Sequence, residues 1–179
     1  MLQTLTPAGP SVSDEDLMVQ VRDGVPGAFD QLFTRFREPV WRFFRRRVTD
    51  PARAEELAQD VFAALFEAAP RYEPRAAFRS YLFGIAYNVL MAARRKGASE
   101  AGDPLDGEGP AGRSADPDAG LWVRQALSRL DSDDREILML REYEQLSYQE
   151  IADLRTLPLN TVRSRLFRAR AALKEALLP

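Results

Sequence analysis

The feature that most limits the fold of this 179-residue chain is a polar, acidic stretch near its middle. Residues 97–120 read GASEAGDPLDGEGPAGRSADPDAG, where Gly, Pro, Asp, Ser and Ala dominate and Leu105 is the one large apolar side chain. A segment of this composition cannot bury enough surface to offset the entropy lost on ordering it. We therefore expect a flexible acidic linker at 97–120 between two small domains, at 13–96 and 121–179, and a disordered tail at 1–12.

Both folded parts are expected to be all-α, because no stretch alternates as a strand does and β-branched residues are sparse. In the N-terminal part, caps and apolar spacing predict helices over about 13–24, from 27 onward, over 50–68 and over 76–96. Pro39 should kink or interrupt the second of these helices. In the C-terminal part we expect four helices, over about 121–130, 132–143, 147–155 and 158–178.

Two residue types are missing, since the chain has no cysteine and no histidine. This excludes disulfides, thiolate nucleophiles and thiolate metal sites, and it removes the commonest metal ligand and the usual general base near neutral pH. We therefore expect no enzyme activity, no metal and no cofactor. No apolar run approaches the ~20 residues of a membrane span. Residues 1–10 lack the features of a signal peptide, so the cytoplasm is the expected compartment.

The net charge of −2 hides a strong charge pattern along the chain. Residues 71–96 carry six basic and one acidic side chain (+5), and residues 151–179 carry six and two (+4), whereas the linker carries one and six (−5). Of the 25 basic residues only Lys96 and Lys174 are lysine. A GC-rich genome would explain this bias, but arginine is also the residue that best grips phosphate, through its forked guanidinium.

The C-terminal basic block predicts a helix-turn-helix. Ser147 and Glu150 form a capping box, S-x-x-E, at the start of a short helix that ends in a tight turn before a longer, arginine-rich helix. This second helix has an apolar stripe for docking and places its arginines elsewhere. In its first turns we expect base contacts from Thr161, Arg163, Ser164 and Arg165, and further along we expect backbone contacts from Arg168, Arg170 and Lys174. The alternative is a solvated amphipathic helix.

Two N-terminal segments carry weaker signals. The 71–96 block interleaves arginines with aromatic residues, which can stack unpaired bases while the cations hold the backbone, although aromatics at helical spacing are more often core. The 51–68 helix has an acidic exposed face beside apolar residues. That face is either simply solvated or a docking surface for a basic partner.

Taken in order, three stretches resemble a bacterial RNA polymerase sigma factor of the extracytoplasmic-function group. DPARAEELAQDVFAALFEA resembles the polymerase-clamp helix of that family, and FRSYLFGIAYN resembles its promoter-melting helix. LSYQEIADLRTLPLNTVRSRLFRARAALKE resembles its −35-reading domain. Together they cover about residues 14–96 and 121–178.

The resemblance implies a dissociable subunit that binds core RNA polymerase and directs promoter-specific transcription initiation. It implies polymerase contacts from Glu56, Leu57, Gln59, Asp60 and Phe62. It implies −10 contacts from Arg71, Tyr72, Arg75, Phe78, Arg79, Tyr81, Asn88, Arg94 and Arg95. It implies −35 contacts from Asn160, Thr161, Arg163, Ser164, Arg165, Arg168 and Arg170. It also implies an anti-sigma factor that masks both domains, and a linker that threads into basic channels of the polymerase.

Some positions depart from the family pattern. Tyr81 stands where Trp is usual, Tyr87 where Arg is common and Ala92 where Asp is common. Thr156 and Asn160 replace residues that are often Gly, so Thr156 must accept a turn without the freedom of glycine at positive φ, and Asn160 is expected to cap the recognition helix.

Two other function classes stay open. A helix-turn-helix regulator acting without polymerase would not need the 51–68 face or the 71–96 block. A nucleic-acid enzyme such as a nuclease would need converging carboxylates, whereas Asp131, Asp133 and Asp134 are so local that they are better explained as a helix cap.

Overall fold

The computed structural model describes residues 12–99, 123 and 125–177, and within these ranges the regular structure is helical, as the sequence predicts. Residues 125–128 form part of a helix, and the fully described helices are α1 (Asp14–Arg22), α2 (Ala28–Arg45), α3 (Pro51–Ala68), α4 (Phe78–Ser99), α5 (Ser132–Glu142), α6 (Tyr148–Arg155) and α7 (Leu159–Leu177). A short 3-10 turn, Ala69–Arg71, follows α3. No helix in the described ranges is long and apolar enough to cross a membrane.

Side-chain caps begin the helices at the predicted positions. The Ser13 hydroxyl accepts a hydrogen bond from the Asp16 amide at 3.0 Å, and the Asp50 carboxylate accepts one from the Ala52 amide at 2.9 Å. Pro51 then occupies the first turn of α3, where its missing N–H costs nothing. The chain turns between α1 and α2 through Gly24 (φ +75°) and Gly27 (φ +78°), a backbone region that glycine enters freely.

Helix α2 is continuous through Pro39, so the interruption considered above does not occur. Buried apolar residues lie on both sides of the proline: Phe36 before it, and Val40, Phe43 and Phe44 after it. Burial of this stripe against the other N-terminal helices offsets the hydrogen bond that a proline removes from a helix interior.

The N-terminal core lies where α1, α3 and α4 pack around α2. Phe43, Phe78, Leu82 and Phe83 are fully buried in it. Helix α1 also orders the start of α4, because the Glu15 carboxylate accepts a hydrogen bond from the Phe78 amide at 2.8 Å. The same interaction fixes where α4 begins, and therefore which of its faces reaches the surface.

The C-terminal core is smaller and is formed by α5, α6 and α7. Ile137, Leu140, Ile151 and Val162 are completely buried there. As predicted, the Asp131 carboxylate caps α5, accepting hydrogen bonds from the Asp133 and Asp134 amides at 3.0 and 3.4 Å.

The helix ends differ slightly from the predictions. Helix α4 continues to Ser99 rather than ending at Lys96. The predicted tail up to residue 11, the linker from 100 to 120 and the start of the helix predicted at 121–130 lie outside the described residues. The domain boundaries therefore stay predictions.

Candidate promoter and polymerase interfaces

The helix-turn-helix is held by the predicted capping box and a left-handed turn. The Ser147 amide donates to Glu150 Oε2 at 2.7 Å, and the Glu150 amide donates to Ser147 Oγ at 3.2 Å. Burial alone would raise the pKa of Glu150, but hydrogen bonds from Ser80 and Ser147 lower it. Helix α6 is followed by Thr156, whose φ is +53°, so a β-branched residue does occupy the position that favours glycine.

Helix α7 divides into a buried stripe and an exposed face, as its spacing predicts. Val162, Leu166 and Ala169 are at most 1% exposed. The opposite face exposes Asn160, Arg163, Ser164, Arg168 and Arg170, and Thr161 is half-buried beside it. Asn160 lies inside the first turn, where its side chain accepts a hydrogen bond from Arg163 at 3.3 Å, so the prediction that it caps α7 is wrong.

Phe167 also belongs to this exposed face, and the sequence reasoning missed it. Its side chain is 76% exposed, the largest value among the exposed large apolar residues described. The signal was available, since Phe167 falls outside the stripe of Val162, Leu166 and Ala169. An apolar side chain among arginines on a recognition helix can contact a thymine methyl group.

Several arginines of the basic block are bound within the C-terminal domain. Asp133 accepts hydrogen bonds from Arg155 at 2.8 Å and from Arg165 at 2.9 Å. The hydrogen bond from Arg155, with that from Arg165, holds the pKa of Asp133 below its usual value. Arg168 lies 3.6 Å from Asp134. Arg165 therefore has a structural partner, whereas Arg163 projects from the exposed face.

Arg170 differs from its neighbours because it joins α7 to α5 and α6. Its guanidinium donates to Glu142 at 2.7 Å and to the Tyr148 hydroxyl at 3.0 Å. These hydrogen bonds raise the pKa of Arg170.

Two of the aromatic residues predicted at the −10 surface are buried. Phe78 is fully buried, with ring contacts to Phe36 and Tyr72 at 5.2 and 6.4 Å between centroids. Tyr72 is 3% exposed, and its hydroxyl is buried without a hydrogen-bond partner among the described residues. Burial raises the pKa of Tyr72. These two side chains present almost no surface to a nucleic acid in this conformation.

The remaining predicted −10 residues are more accessible. Arg71 and Arg75 are exposed in the segment before α4, and Asn88 and Arg95 are exposed on α4 itself. Tyr81 is half-buried, with its ring 5.1 Å from that of Tyr72. Arg79 and Arg94 are half-buried as well.

A groove of about 560 Å³ lies between α2 and α3. It is lined by apolar and charged side chains, among them Phe33, Trp41, Glu55, Gln59 and Phe62. Phe33 is 39% exposed, and Phe66, further along α3, is 61% exposed. The groove thus combines an apolar floor with a polar rim.

The predicted polymerase residues fall into two sets beside this groove. Glu56, Gln59 and Asp60 are exposed, whereas Leu57 and Phe62 are almost entirely buried. The Phe62 ring packs edge-on against Phe33, with centroids 4.8 Å apart. The buried pair therefore shapes the surface, and the exposed three can contact a partner, although Glu56 also accepts a hydrogen bond from Arg53 at 2.8 Å.

The sequence reasoning also missed a group of charges where the two domains meet. Arg47 is 3% exposed, and the structure surrounds it with Glu136 and Glu144 from the C-terminal part. The run of three arginines at 45–47 was a signal, but its acidic partners lie about 90 residues away in sequence.

Comparison with known proteins covers both parts of the chain. Residues 32–100 match the family model Sigma-70 region 2, and residues 120–173 match Sigma-70, region 4. The RNA polymerase sigma-H factor of Pseudomonas aeruginosa is 32% identical over 182 residues, with 93% of this chain and 94% of that protein covered. The ECF RNA polymerase sigma-E factor of Escherichia coli K12 is 29% identical, with 94% and 96% covered.

A solved structure shows the same fold. The sigma factor RpoE of Bartonella quintana, solved in complex with the anti-sigma factor NepR, superposes with a TM-score of 0.64 at 25% identity. The match covers 84% of this chain and 97% of that one. The two family regions occur in the expected order, and the relatives align along nearly the whole chain. Both findings agree with the helix-turn-helix and with the N-terminal domain that carries the α2–α3 groove. The chain belongs to the extracytoplasmic-function sigma factors of bacterial RNA polymerase.

Proposed function

We propose that three surfaces of this sigma factor divide its work: the α2–α3 groove binds core polymerase, the α4 face binds the −10 element, and α7 reads the −35 element. The observation that carries the proposal is that each surface exposes the chemistry its partner needs, within a chain that matches both sigma regions. The division into domains at 13–96 and 121–179 follows from the same assignment.

The polymerase surface combines exposed polar and acidic side chains with partly exposed aromatic rings. Glu56, Gln59 and Asp60 project from α3 next to the groove, and the rings of Phe33 and Phe66 stay partly exposed although they pack on Phe62 and Phe29. An exposed apolar patch with polar residues around it is typical of a protein–protein interface. Such a surface fits a partner element with apolar residues at its centre and basic residues around them.

The proposed −35 surface is the exposed face of α7. Arg163, Ser164 and Phe167 are exposed on one face of a helix whose opposite stripe is buried, so the helix can enter a major groove without unfolding the domain. Arg168 and Arg170 are exposed further along the helix, where we expect contacts with the phosphate backbone.

The proposed −10 surface consists of the segment before α4 and the exposed part of α4 itself. Arg71 and Arg75 are exposed, and the hydroxyl of Tyr72, between them in sequence, is buried with no partner among the described residues. The hydroxyl is closed to a nucleic acid in this conformation, so the proposal requires the segment before α4 to open; a flipped base would then give that donor an acceptor, offsetting part of the few kcal/mol that flipping costs.

Further parts of the proposal follow from the family. The chain makes and breaks no bond itself and acts in the cytoplasm, where polymerase and promoter DNA meet. A partner that masks both domains, an anti-sigma factor, regulates it, as NepR is bound to the RpoE structure.

Run-off transcription with core polymerase and a matched promoter is the most informative test. Core polymerase should retain the chain in a pull-down, and Asp60→Ala should weaken that retention while leaving binding to −35 duplex unchanged. Glu175→Ala, which removes an exposed acid on α7, is the control and should leave retention intact. A chain that binds duplex DNA but never co-purifies with core polymerase would instead be a helix-turn-helix regulator acting alone.

A further inference from the structure

Helix α1 holds both ends of the segment that leads into α4. At the α4 end, the Glu15 carboxylate accepts a hydrogen bond from the Phe78 amide at 2.8 Å. At the other end, Arg22 donates to the Tyr72 carbonyl at 3.4 Å. Glu15 and Arg22 are about two helical turns apart, so they lie on the same side of α1. One helix thus brackets the whole segment.

The two hydrogen bonds differ in strength. A carboxylate that accepts from a backbone amide makes a short, charge-assisted hydrogen bond, and the bond of Glu15 has the length expected for one. The bond from Arg22 is long, and the same guanidinium also donates to Asp23 at 2.9 Å. Glu15 therefore fixes the Phe78 end of the segment, and the Tyr72 end is the one that can release.

Helix α1 gives Glu15 a fixed position. Leu17 and Met18 are fully buried, so α1 cannot shift without exposing them. Arg35 of α2 donates to the Asp14 carboxylate at 2.6 Å and to the Val12 carbonyl at 2.9 Å. A side chain on a helix that is anchored in this way is placed more precisely than one on a loop.

The Phe78 amide needs an acceptor because it begins α4. The first amides of a helix have no acceptor within the helix itself. Ala77, which precedes α4, has no side-chain oxygen to cap it. Glu15 supplies the acceptor from 63 residues away in sequence, and its negative charge suits the N-terminal end of the α4 dipole.

The start of α4 determines the surroundings of the Tyr72 hydroxyl. The Tyr72 ring lies 6.4 Å from that of Phe78 and 5.1 Å from that of Tyr81, one turn further along α4. Burial raises the pKa of Tyr72, and the charge of Glu15 raises it further, so Glu15 lies close to this hydroxyl. A displaced first turn of α4 would therefore displace the residues assigned to the −10 element.

We propose that Glu15 is a positioning residue for −10 recognition, which fixes the first turn of α4 while the segment before it opens to admit an unpaired base. Glu15 acts through the Phe78 amide and needs no contact with DNA of its own. The anchoring of α4 stands on geometry alone, whereas its use at the −10 element rests on the proposed function.

Hydrogen exchange of the full chain tests the anchoring. Glu15→Ala removes the acceptor, so amides at the start of α4 should exchange about fivefold faster, the factor that corresponds to the typical loss of a helix cap. Amides in the middle of α4 should keep the parent rate, because the loss is local. Unchanged exchange at the start of α4 would overturn the proposal.

Two further variants serve as matched controls. Glu15→Gln keeps an acceptor oxygen at the same place and should stay close to the parent chain. Asp16→Ala removes an exposed acid from the same turn of α1 and should leave exchange at the start of α4 unchanged. Equal acceleration in Glu15→Gln and Glu15→Ala would overturn the hydrogen bond as the cause.

The second readout is discrimination by the chain bound to core polymerase. Two single-stranded oligonucleotides carry the non-template −10 strand of the promoter used in run-off transcription, one intact and one with an abasic site where this weakens binding to the parent most. Glu15→Ala should reduce the ratio of the two affinities by about the same factor as in hydrogen exchange, and Glu15→Gln should largely restore the ratio. A merely destabilised domain would lower both affinities equally.

The outcomes separate the positioning role from the proposed function. An affinity ratio that is unchanged in Glu15→Ala would overturn the positioning role while the proposed function stands. Equal affinity of the parent for the intact strand and for every abasic strand would overturn the proposed −10 surface and the role of Glu15 there, and hydrogen exchange would still decide the anchoring.

Discussion

Helices α4 and α7 carry similar sequence patterns, arginines interleaved with apolar and aromatic residues, yet the fold uses them differently. In α4 the aromatic residues Phe78 and Phe83 are completely buried. In α7 the corresponding aromatic residue, Phe167, is 76% exposed. The same composition therefore builds a core in one helix and a contact surface in the other.

The difference arises from how many neighbours each helix has. Helix α4 packs against α1, α2 and α3 of its own domain, and the C-terminal domain covers part of what remains. Helix α7 packs against α5 and α6 along a single stripe. A helix with one buried stripe keeps most of its surface for a ligand, whereas a helix enclosed on several sides has little surface left for recognition.

The largest contrast is expected from removing one aromatic residue of each helix. Phe78→Ala should lower the free energy of unfolding by about 3–5 kcal/mol, because it leaves a cavity between Phe36 and Tyr72. Phe167→Ala should change it by less than about 0.5 kcal/mol, as for other exposed side chains. Chemical denaturation measures both, and equal losses would mean that the two helices do not differ as described.

The second contrast lies within α7, between a projecting and a paired arginine. Arg163→Ala should weaken binding to a matched −35 duplex by about 1–3 kcal/mol without lowering the stability of the domain. Arg165→Ala should in addition reduce stability, because its partner Asp133 loses a hydrogen bond. Fluorescence anisotropy measures DNA binding and thermal unfolding measures stability, so together they separate the two effects. Identical behaviour of the two variants would refute the distinction between them.

A pH titration tests how much the pairing of Asp133 with Arg155 and Arg165 stabilises the C-terminal domain. The pKa of Asp133 is lowered in the folded chain by Arg155 and Arg165, so its contribution to stability is present above the usual pKa of 3.8 and is lost as the pH falls through the lower, folded value. Asp133→Asn should therefore be less stable than the parent near neutral pH, and the difference should shrink below about pH 4. The measurement is thermal unfolding at stepped pH, and a pH-independent difference would contradict the role of the charge.

The smallest effect is expected at Tyr72. Tyr72→Phe removes a buried hydroxyl that has no partner among the described residues, so the free energy of unfolding should stay within about 0.5 kcal/mol of the parent or rise slightly. If the hydroxyl serves a flipped base, open-complex formation in a transcription assay should nevertheless weaken. A substantial loss of stability would show that the hydroxyl has a partner in the folded chain.

Local features were predictable from the sequence because their causes are local. The capping box of Ser147 and Glu150, the cap at Asp131 and the buried stripe of α7 each depend on residues within two turns. The assignment of the chain to its family came from three such segments in order. Capping residues and the spacing of apolar residues also predicted most helix ends to within a few residues.

Contacts between distant segments were not predictable in the same way. The pairing of Arg47 with Glu136 depends on how the two domains meet, and nothing in either local sequence encodes that geometry. The continuity of α2 through Pro39 likewise depends on burial of Phe36 and Val40 against other helices. Which arginines are free for DNA therefore emerges only once the partners of each are known.

Glu150 links the N-terminal cap of helix α6 to the contact between the two domains. Its carboxylate caps the first turn of α6, and Ser80 of α4, in the other domain, is one of the groups that lower its pKa. If α4 and α6 were to separate, Ser80 would no longer support this cap, so the amide hydrogens at the start of α6 should exchange faster with solvent. The exchange rate of a few amides at one helix end would then report the movement of a whole domain.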